Sequence, residues 1–338
     1  MQAATLPALE PLNRNQKNKS KHYSDEAVAR QILELFFRFR RISPEETRCQ
    51  ENCTSCYAAH IKKITYFINS GHPVKFVLPA FPAKSPNLNK VLGPLPDMAE
   101  IQALKFLETL CKEVHEFYPP GAKIILCSDG RVFSDVVGIK DSDVSAYQRE
   151  IDRLIADFGL KHISTFNLDA LHFADDFDSM RRKLVNTYAV PLEELKIKVK
   201  QGSTAKASID AIEANRMLCG MTRFLVEDTS YPEQTKSRTS IQNDCKKRAY
   251  EVIRRSNAWS KLIEEVFPQA VRLSIHPQSC GAKKLGIRLV GEDTWITPWH
   301  GVAVKTNAGF ILMKKSEAEA KGAYLISTTN GKPSHYSF

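Results

Sequence analysis

Apolar positions recur at helical spacing over residues 25–40, DEAVARQILELFFRFR. Asp25 and Glu26 open this stretch and arginines close it, as the helix dipole favours. Residues 57–70 repeat the pattern and stop at Gly71, a usual C-terminal cap. Val74–Leu78, VKFVL, is a short β-rich run. Residues 96–116 form a third helix, opened by Pro96 and Asp97, with Ile101, Leu104, Leu107 and Leu110 on one face. Lys123–Cys127 is again a buried-strand run. Strand, loop, helix, strand, loop is a βαβ unit, and its two post-strand loops fall on one edge of a parallel sheet.

Those two loops are rich in polar groups. The first, 79–90 (PAFPAKSPNLNK), carries Lys84, Ser85, Asn87 and Lys90, and its prolines exclude regular structure. The second, SDGRVFSD (128–135), carries Ser128, Asp129, Arg131 and Asp135. It reads either as a polar turn, since Asp-Gly is a turn dipeptide, or as one wall of a site.

Further along, 143–158 is a helix, 161–166 (KHISTF) a third strand, and 168–184 a helix. Residues 191–206 are Lys-rich and weakly patterned, and read as a hinge or surface segment. A helix over 208–219 ends in CGMTRFLVED. A long amphipathic helix runs from 240 to 265, with Tyr250 and Trp259 as core anchors. Short strands then follow at 271–276, 285–290, 302–305 and 310–314. His276 and His300 sit beside prolines at strand ends, where an imidazole is well placed for acid/base or hydrogen-bonding work. His162 reads as a packed or surface histidine.

The pattern therefore predicts an α/β fold: a Rossmann-like, mostly parallel sheet flanked by helices, with a C-terminal α+β portion completing the site. Residues 1–24 read as a loose leader, 25–200 as the Rossmann-like domain and 201–338 as the portion packed on it.

Composition narrows the picture. With 338 residues and 43% hydrophobic content the chain can bury a sizeable core. Its net charge of +10 suits small anions or nucleic acid. The charge is dispersed without a basic–aromatic stripe, which argues against nucleic acid. No run reaches the ~18 apolar residues of a membrane span, and the leader lacks an apolar signal core. A soluble cytoplasmic protein with reduced thiols is expected. Of the eight cysteines, Cys49, Cys53 and Cys56 cluster as C-x3-C-x2-C. That spacing matches an iron–sulfur signature, but it follows a helix and no second zinc-type pair accompanies it. Structural thiols are the simpler reading. The common nucleotide, hydrolase and zincin motifs are absent.

Six blocks in order carry a family resemblance. They are FPAKSPN (81–87), SDGRVFSD (128–135), GMTRFLVED (220–228), AYEVIRRSNAWSKLIEEVFP (249–268), VRLSIHPQ (271–278) and TPWHGVAV (297–304). Together they resemble the isonitrile synthase family of pyoverdine and dityrosine biosynthesis, over about residues 50–315.

The resemblance implies an enzyme without cofactor or metal. It would convert the α-amino group of an L-amino acid, tyrosine or tryptophan foremost, into an isonitrile, with ribulose 5-phosphate as carbon donor. An amino-acid N-formylating enzyme of the dityrosine-pathway type is the alternative on the same scaffold. The reaction needs a base for the amine, an acid for loss of water, and cations for a phosphate and a carboxylate. The matched blocks supply His300, Asp129, Asp135 and His276 as acid/base candidates. They supply Lys84, Arg131 and Arg223 as cations, and Ser85, Asn87 and Ser128 as positioners. On this reading Lys84 and Arg131 hold the phosphate, Arg223 holds the carboxylate, and His300 with Asp129 moves protons. The small-molecule substrates are the only partners implied.

Overall fold

A computed structural model describes residues 25–46, 49, 53–171, 176–204, 206–229 and 235–338. The expected leader, 1–24, lies outside the described residues. The elements in order are α1 (Asp25–Phe37), α2 (Thr54–Asn69), β1 (Val74–Leu78), α3 (Met98–His115), β2 (Ala122–Cys127), α4 (Gly130–Val137), α5 (Asp141–Asp157) and β3 (Ile163–Phe166). They continue with α6 (Phe177–Tyr188), α7 (Leu192–Gln201), α8 (Ile209–Thr229), α9 (Arg238–Val266), β4 (Val271–Ser274), β5 (Lys284–Gly286), β6 (Val302–Thr306), β7 (Gly309–Met313), α10 (Lys315–Ala320), β8 (Tyr324–Ser327) and β9 (Pro333–Ser337).

The main sheet has five strands in the order β3-β2-β1-β4-β5, and its pairings are all parallel. Alternation along each strand divides the side chains between two faces. Phe76, Leu78, Ile124 and Leu126 pack against α1, α2, α3 and α5, with Phe36 stacked on Phe76 at 4.2 Å. Val77 and Cys127 face α6 and α9. Trp259 of α9 is the anchor there: it is buried, stacks on Phe166, and donates from Nε1 to the Cys127 carbonyl at 3.2 Å. Burial of such a side chain stabilises the fold by roughly 1.5–3 kcal/mol. The second sheet, β7-β6-β9-β8, is mixed and packs beside the start of α3 through Ala99, Val290, Ala303 and Leu312.

Several expectations change. SDGRVFSD is not an irregular loop: from Gly130 it winds into α4, which ends at Gly138 with φ +83°. Residues 191–206 are not a hinge, because Leu195 and Val199, four apart, bury one face of α7. The helix expected to stop at 219 runs on to Thr229. Gly220 does not break it, since Leu218 and Leu225 on either side are both buried against α9. The region 168–184 divides into a 3-10 turn at Leu168–Leu171 and α6. The strand expected over 285–290 shortens to β5, although Ile287, Leu289 and Val290 stay buried. Elements α10, β8 and β9 carried no clear period-two or helical signal.

Candidate active site

The site is built on the carboxyl edge of the main sheet, where the β1 and β2 loops meet. Phe81 has φ +58°, a left-handed conformation that strains a bulky residue. Its ring packs on Trp299, 5.4 Å between centroids, and its carbonyl accepts from Ser128 Oγ at 2.9 Å. Gly130 lets the loops touch: a Cβ there would fall 1.9 Å from the Pro82 carbonyl oxygen.

Lys84 lies beneath this contact and is 2% exposed. Its ammonium meets Asp97 Oδ2 at 2.8 Å, Glu100 Oε2 at 2.7 Å and the Pro298 carbonyl at 2.9 Å. Asp97 and Glu100 are also the capping box of α3, so the lysine is clamped to a helix start. Burial opposes its charge, but the two carboxylates win and hold its pKa above the usual value. Its side chain is sealed from solvent, with its charge met by two carboxylates and one N–H donated to a carbonyl inside the protein. Lys84 in this arrangement braces the loop and offers no donor to a phosphate.

Ser85, Asn87 and Lys90 reach the end of α8. Ser85 Oγ donates to Asp228 Oδ1 at 3.0 Å, Asn87 Nδ2 donates to the Glu227 carbonyl at 3.2 Å, and Lys90 pairs with Asp228 at 2.7 Å. His300 ends a short 3-10 turn, Pro298–His300. Its Nδ1 shares a 2.9 Å hydrogen bond with Thr297 Oγ1, and its ring meets Phe224 of α8 edge-on at 4.3 Å. Burial, then the charges of Lys90 and Lys84, push its pKa down to about 3. The imidazole is therefore neutral at physiological pH. Arg223, next to Phe224, is exposed.

Arg131 is not at the open edge. It is 0% exposed and held by Asp141 at 3.0 Å, Asp169 at 3.3 Å and Ser145 Oγ at 2.6 Å, with Phe177 stacked on its guanidinium. Arg181 joins the same knot through Asp141, Asp178 and the Arg131 carbonyl. Burial works against the Asp141 carboxylate, but the Ser134 hydroxyl and the Arg181 and Arg131 guanidiniums outweigh it and keep its pKa low. This knot fastens α4 to α5 and α6. Asp135 accepts from Arg255 at 2.7 Å and lies 3.4 Å from Arg181. It lines a surface groove of about 460 Å³ with Val136, Gly138, Lys247, Arg248 and Glu251. Two guanidiniums make it a paired anion rather than a free proton carrier.

Asp129 differs. It occupies the N-cap position of α4 but makes no capping bond with its side chain. Burial pushes its pKa up to about 6, against the N–H of its own backbone and the charge of Arg272. A carboxyl in that range suits proton transfer near neutrality.

Arg272 is the residue that sequence reasoning missed. It stands on β4 opposite Val77, is 7% exposed, and makes one long bond, 3.4 Å, to Ser260 Oγ. Its Nε and Nη1 have no hydrogen-bond partner among the described residues. Burial lowers its pKa, while Cys127, Asp129 and Glu264 oppose that. A buried guanidinium with free donors is costly unless it receives an anion. The signal was present: an arginine inside the apolar run VRLSI has no reason to be there for packing. His276, at the end of that strand, is exposed, and its backbone N–H donates to Ser274 Oγ at 3.1 Å.

The fold thus gathers Ser85, Asn87 and His300 around α8, and Ser128, Asp129 and Arg272 around β2 and β4. It turns Lys84 and Arg131 inward as supports and leaves Asp135 at the surface, paired with Arg255. Polar side chains at the carboxyl edge of a parallel sheet, closed over by helices, define a Rossmann-like α/β enzyme. The chain belongs to the family of pyoverdine/dityrosine biosynthesis proteins, which it matches over residues 64–326. It is 45% identical over 317 residues to an L-tryptophan isonitrile synthase of Fischerella ambigua, covering 92% of each chain. It is 43% identical over 323 residues to an L-tyrosine isonitrile synthase of Xenorhabdus nematophila, covering 93% of each. The crystal structure of the PvcA protein from Pseudomonas aeruginosa superposes with a TM-score of 0.83 at 42% identity, covering 92% of this chain and 99% of that one.

Proposed function

We propose that this protein is an isonitrile synthase that converts the α-amino group of an aromatic L-amino acid, tryptophan or tyrosine, with ribulose 5-phosphate as the carbon donor. The observation that carries the reading is the electrostatic pairing of Asp129, whose burial pushes its pKa up to about 6, with Arg272, a buried guanidinium with two nitrogens unpartnered among the described residues, in a chain of this family. An α-amino acid presents its ammonium and carboxylate side by side. Arg272 receives the carboxylate and Asp129 takes the ammonium proton, which frees the amine to attack the sugar ketone.

His300 serves as a neutral hydrogen-bonding group. With Nδ1 held by Thr297, its Nε2 is the atom left to polarise the ketone or position a sugar hydroxyl. Arg223, exposed beside Phe224, is the cation assigned to the phosphate. Lys84 and Arg131 act by keeping the two loops in place.

The test is direct. Purified protein, ribulose 5-phosphate labelled at C2 and a panel of amino acids are incubated together. An isonitrile, identified by product mass and its infrared stretch and carrying the label in its terminal carbon, is the expected result. A formylated amine as sole product moves the reading to N-formylation. No product from any amino acid overturns the proposal.

A further inference from the structure

Four of the eight cysteines meet at one point, and none of them belongs to the site described above. Cys49 precedes α2, Cys53 is its N-cap, Cys56 lies in its first turn, and Cys280 comes from the β4–β5 connection. The Cys49–Cys56 sulfurs are 3.5 Å apart, Cys53–Cys280 3.3 Å and Cys56–Cys280 3.8 Å. All four sulfurs lie within 4.8 Å of one another. A tetrahedral zinc ion with Zn–S bonds of about 2.3 Å sets neighbouring sulfurs about 3.8 Å apart. An iron–sulfur cluster instead spreads its thiolates over separate irons, which needs a wider arrangement.

We propose that Cys49, Cys53, Cys56 and Cys280 bind one zinc ion in a closed tetrathiolate site. Each thiol releases its proton to solvent as its S–Zn bond forms, and the complex is a dianion. The surroundings suit that charge. Three of the sulfurs sit at the start of α2, where backbone N–H groups point outward. The Gly281 N–H points at Cys56 Sγ from 3.5 Å, the backbone-to-sulfur bond that orients a thiolate ligand. Gly281 has φ +70°, a left-handed conformation that favours glycine in the turn after Cys280.

With all four positions taken by protein, the site has no open coordination for substrate, so its role is structural. It ties α2 to a loop 224 residues away. That loop follows the strand bearing Arg272 and pairs with the 40–43 segment through the bridge Ile42–Gln278, while Arg40 bridges Ile287 just beyond β5. Cys53-x2-Cys56 is an ordinary zinc half-site in sequence. Its partners were hidden because one is isolated in sequence and reached only by folding.

The experiment uses the full chain purified under reducing conditions without chelator. Elemental analysis is expected to give about one zinc per chain, and cobalt-substituted protein is expected to show the visible bands of a tetrahedral thiolate site. Cys280→Ser and Cys56→Ser should each lose nearly all the metal and melt at lower temperature, while Cys219→Ser, on exposed α8 surface, keeps it. Because the wild-type metal content and cobalt spectrum need no variant, misfolding of a variant leaves the test intact. Metal-free wild-type protein, disulfides among these four cysteines in mass spectra, or stoichiometric iron in place of zinc would each overturn the proposal.

Discussion

Lys84 Nζ lies 2.7 Å from Glu100 Oε2, and both side chains are fully buried. The pair closes the β1 loop onto the first turn of α3. Burial raises the Glu100 pKa to about 7 against the pull of Lys84, so each charge depends on the other. Removing one partner leaves the other buried and unpaired, a loss of roughly 3–5 kcal/mol. Lys84→Met is therefore expected to lower the urea midpoint strongly. Adding Glu100→Gln and Asp97→Asn should restore much of the loss. A variant that stays as stable as wild type but needs far more sugar phosphate would return Lys84 to the phosphate.

Asp129 links stability to activity through pH. Its folded pKa of about 6 lies above the ordinary 3.8. Between those values the folded protein holds a proton that the unfolded chain has released. Stability therefore falls as pH rises from about 4 to about 6, and the loss, on the order of 3 kcal/mol, is complete above that. Asp129→Asn removes it. The variant should melt higher than wild type at pH 7.5 and turn over at least about 100-fold more slowly, the usual scale for a missing general base. In the wild type, kcat/KM should rise with pH through about 6. Near-normal turnover by Asp129→Asn would remove the carboxylate from the mechanism.

Arg272 gives a contrasting signature to Lys84. Two of its nitrogens have no partner among the described residues, so replacing it with an apolar side chain of similar length relieves a desolvation penalty. Arg272→Met is expected to be as stable as wild type or more so, by up to about 3 kcal/mol. Affinity for the amino acid should fall sharply, because its carboxylate loses its partner. The charge of Arg272 also holds Asp129 down, so the acidic limb of any remaining activity should move to higher pH. Isothermal titration with tryptophan or tyrosine reads the first effect and the pH–rate profile the second. A variant that unfolds yet binds amino acid normally when stabilised by salt or ligand contradicts this role.

The parts of this fold written in local pattern were legible. VKFVL became β1 with the same bounds, and the 96–116 helix and the Trp259 anchor followed from periodicity and size. That the β1 and β2 loops share one edge of the sheet followed from βαβ order. What stayed hidden depends on contacts that no local window contains. Lys84 and Arg131 look like free cations until α3 supplies Asp97 and Glu100, and α5 supplies Asp141. Asp-Gly reads as a turn unless the helix after it finds a partner, which α9 provides. Gly220 reads as a helix end unless Leu218 and Leu225 are seen to pack on the same neighbour. Arg272 and Cys280 were visible as residues, but their meaning comes from strands and loops joined across hundreds of positions.

His300 tests whether the site uses a charged or a neutral imidazole. Burial and the nearby Lys90 and Lys84 charges push its pKa down to about 3, so the ring carries no positive charge near neutral pH. The sign is that of a depressed base: the unfolded histidine takes up its proton near pH 6.5 and the folded one does not. Stability from this group is thus lost as pH falls below about 6.5 and continues to fall toward 3. NMR of labelled histidines should show one ring that stays neutral down to at least pH 5, with Nδ1 hydrogen-bonded. His300→Gln keeps a neutral donor and should retain more activity than His300→Ala, with the larger effect on kcat. Thr297→Val frees Nδ1 and should lower kcat while leaving the melting temperature nearly unchanged. If His300 instead titrates near 6.5 and Gln is no better than Ala, the group works as an acid, and the neutral hydrogen-bonding role is wrong.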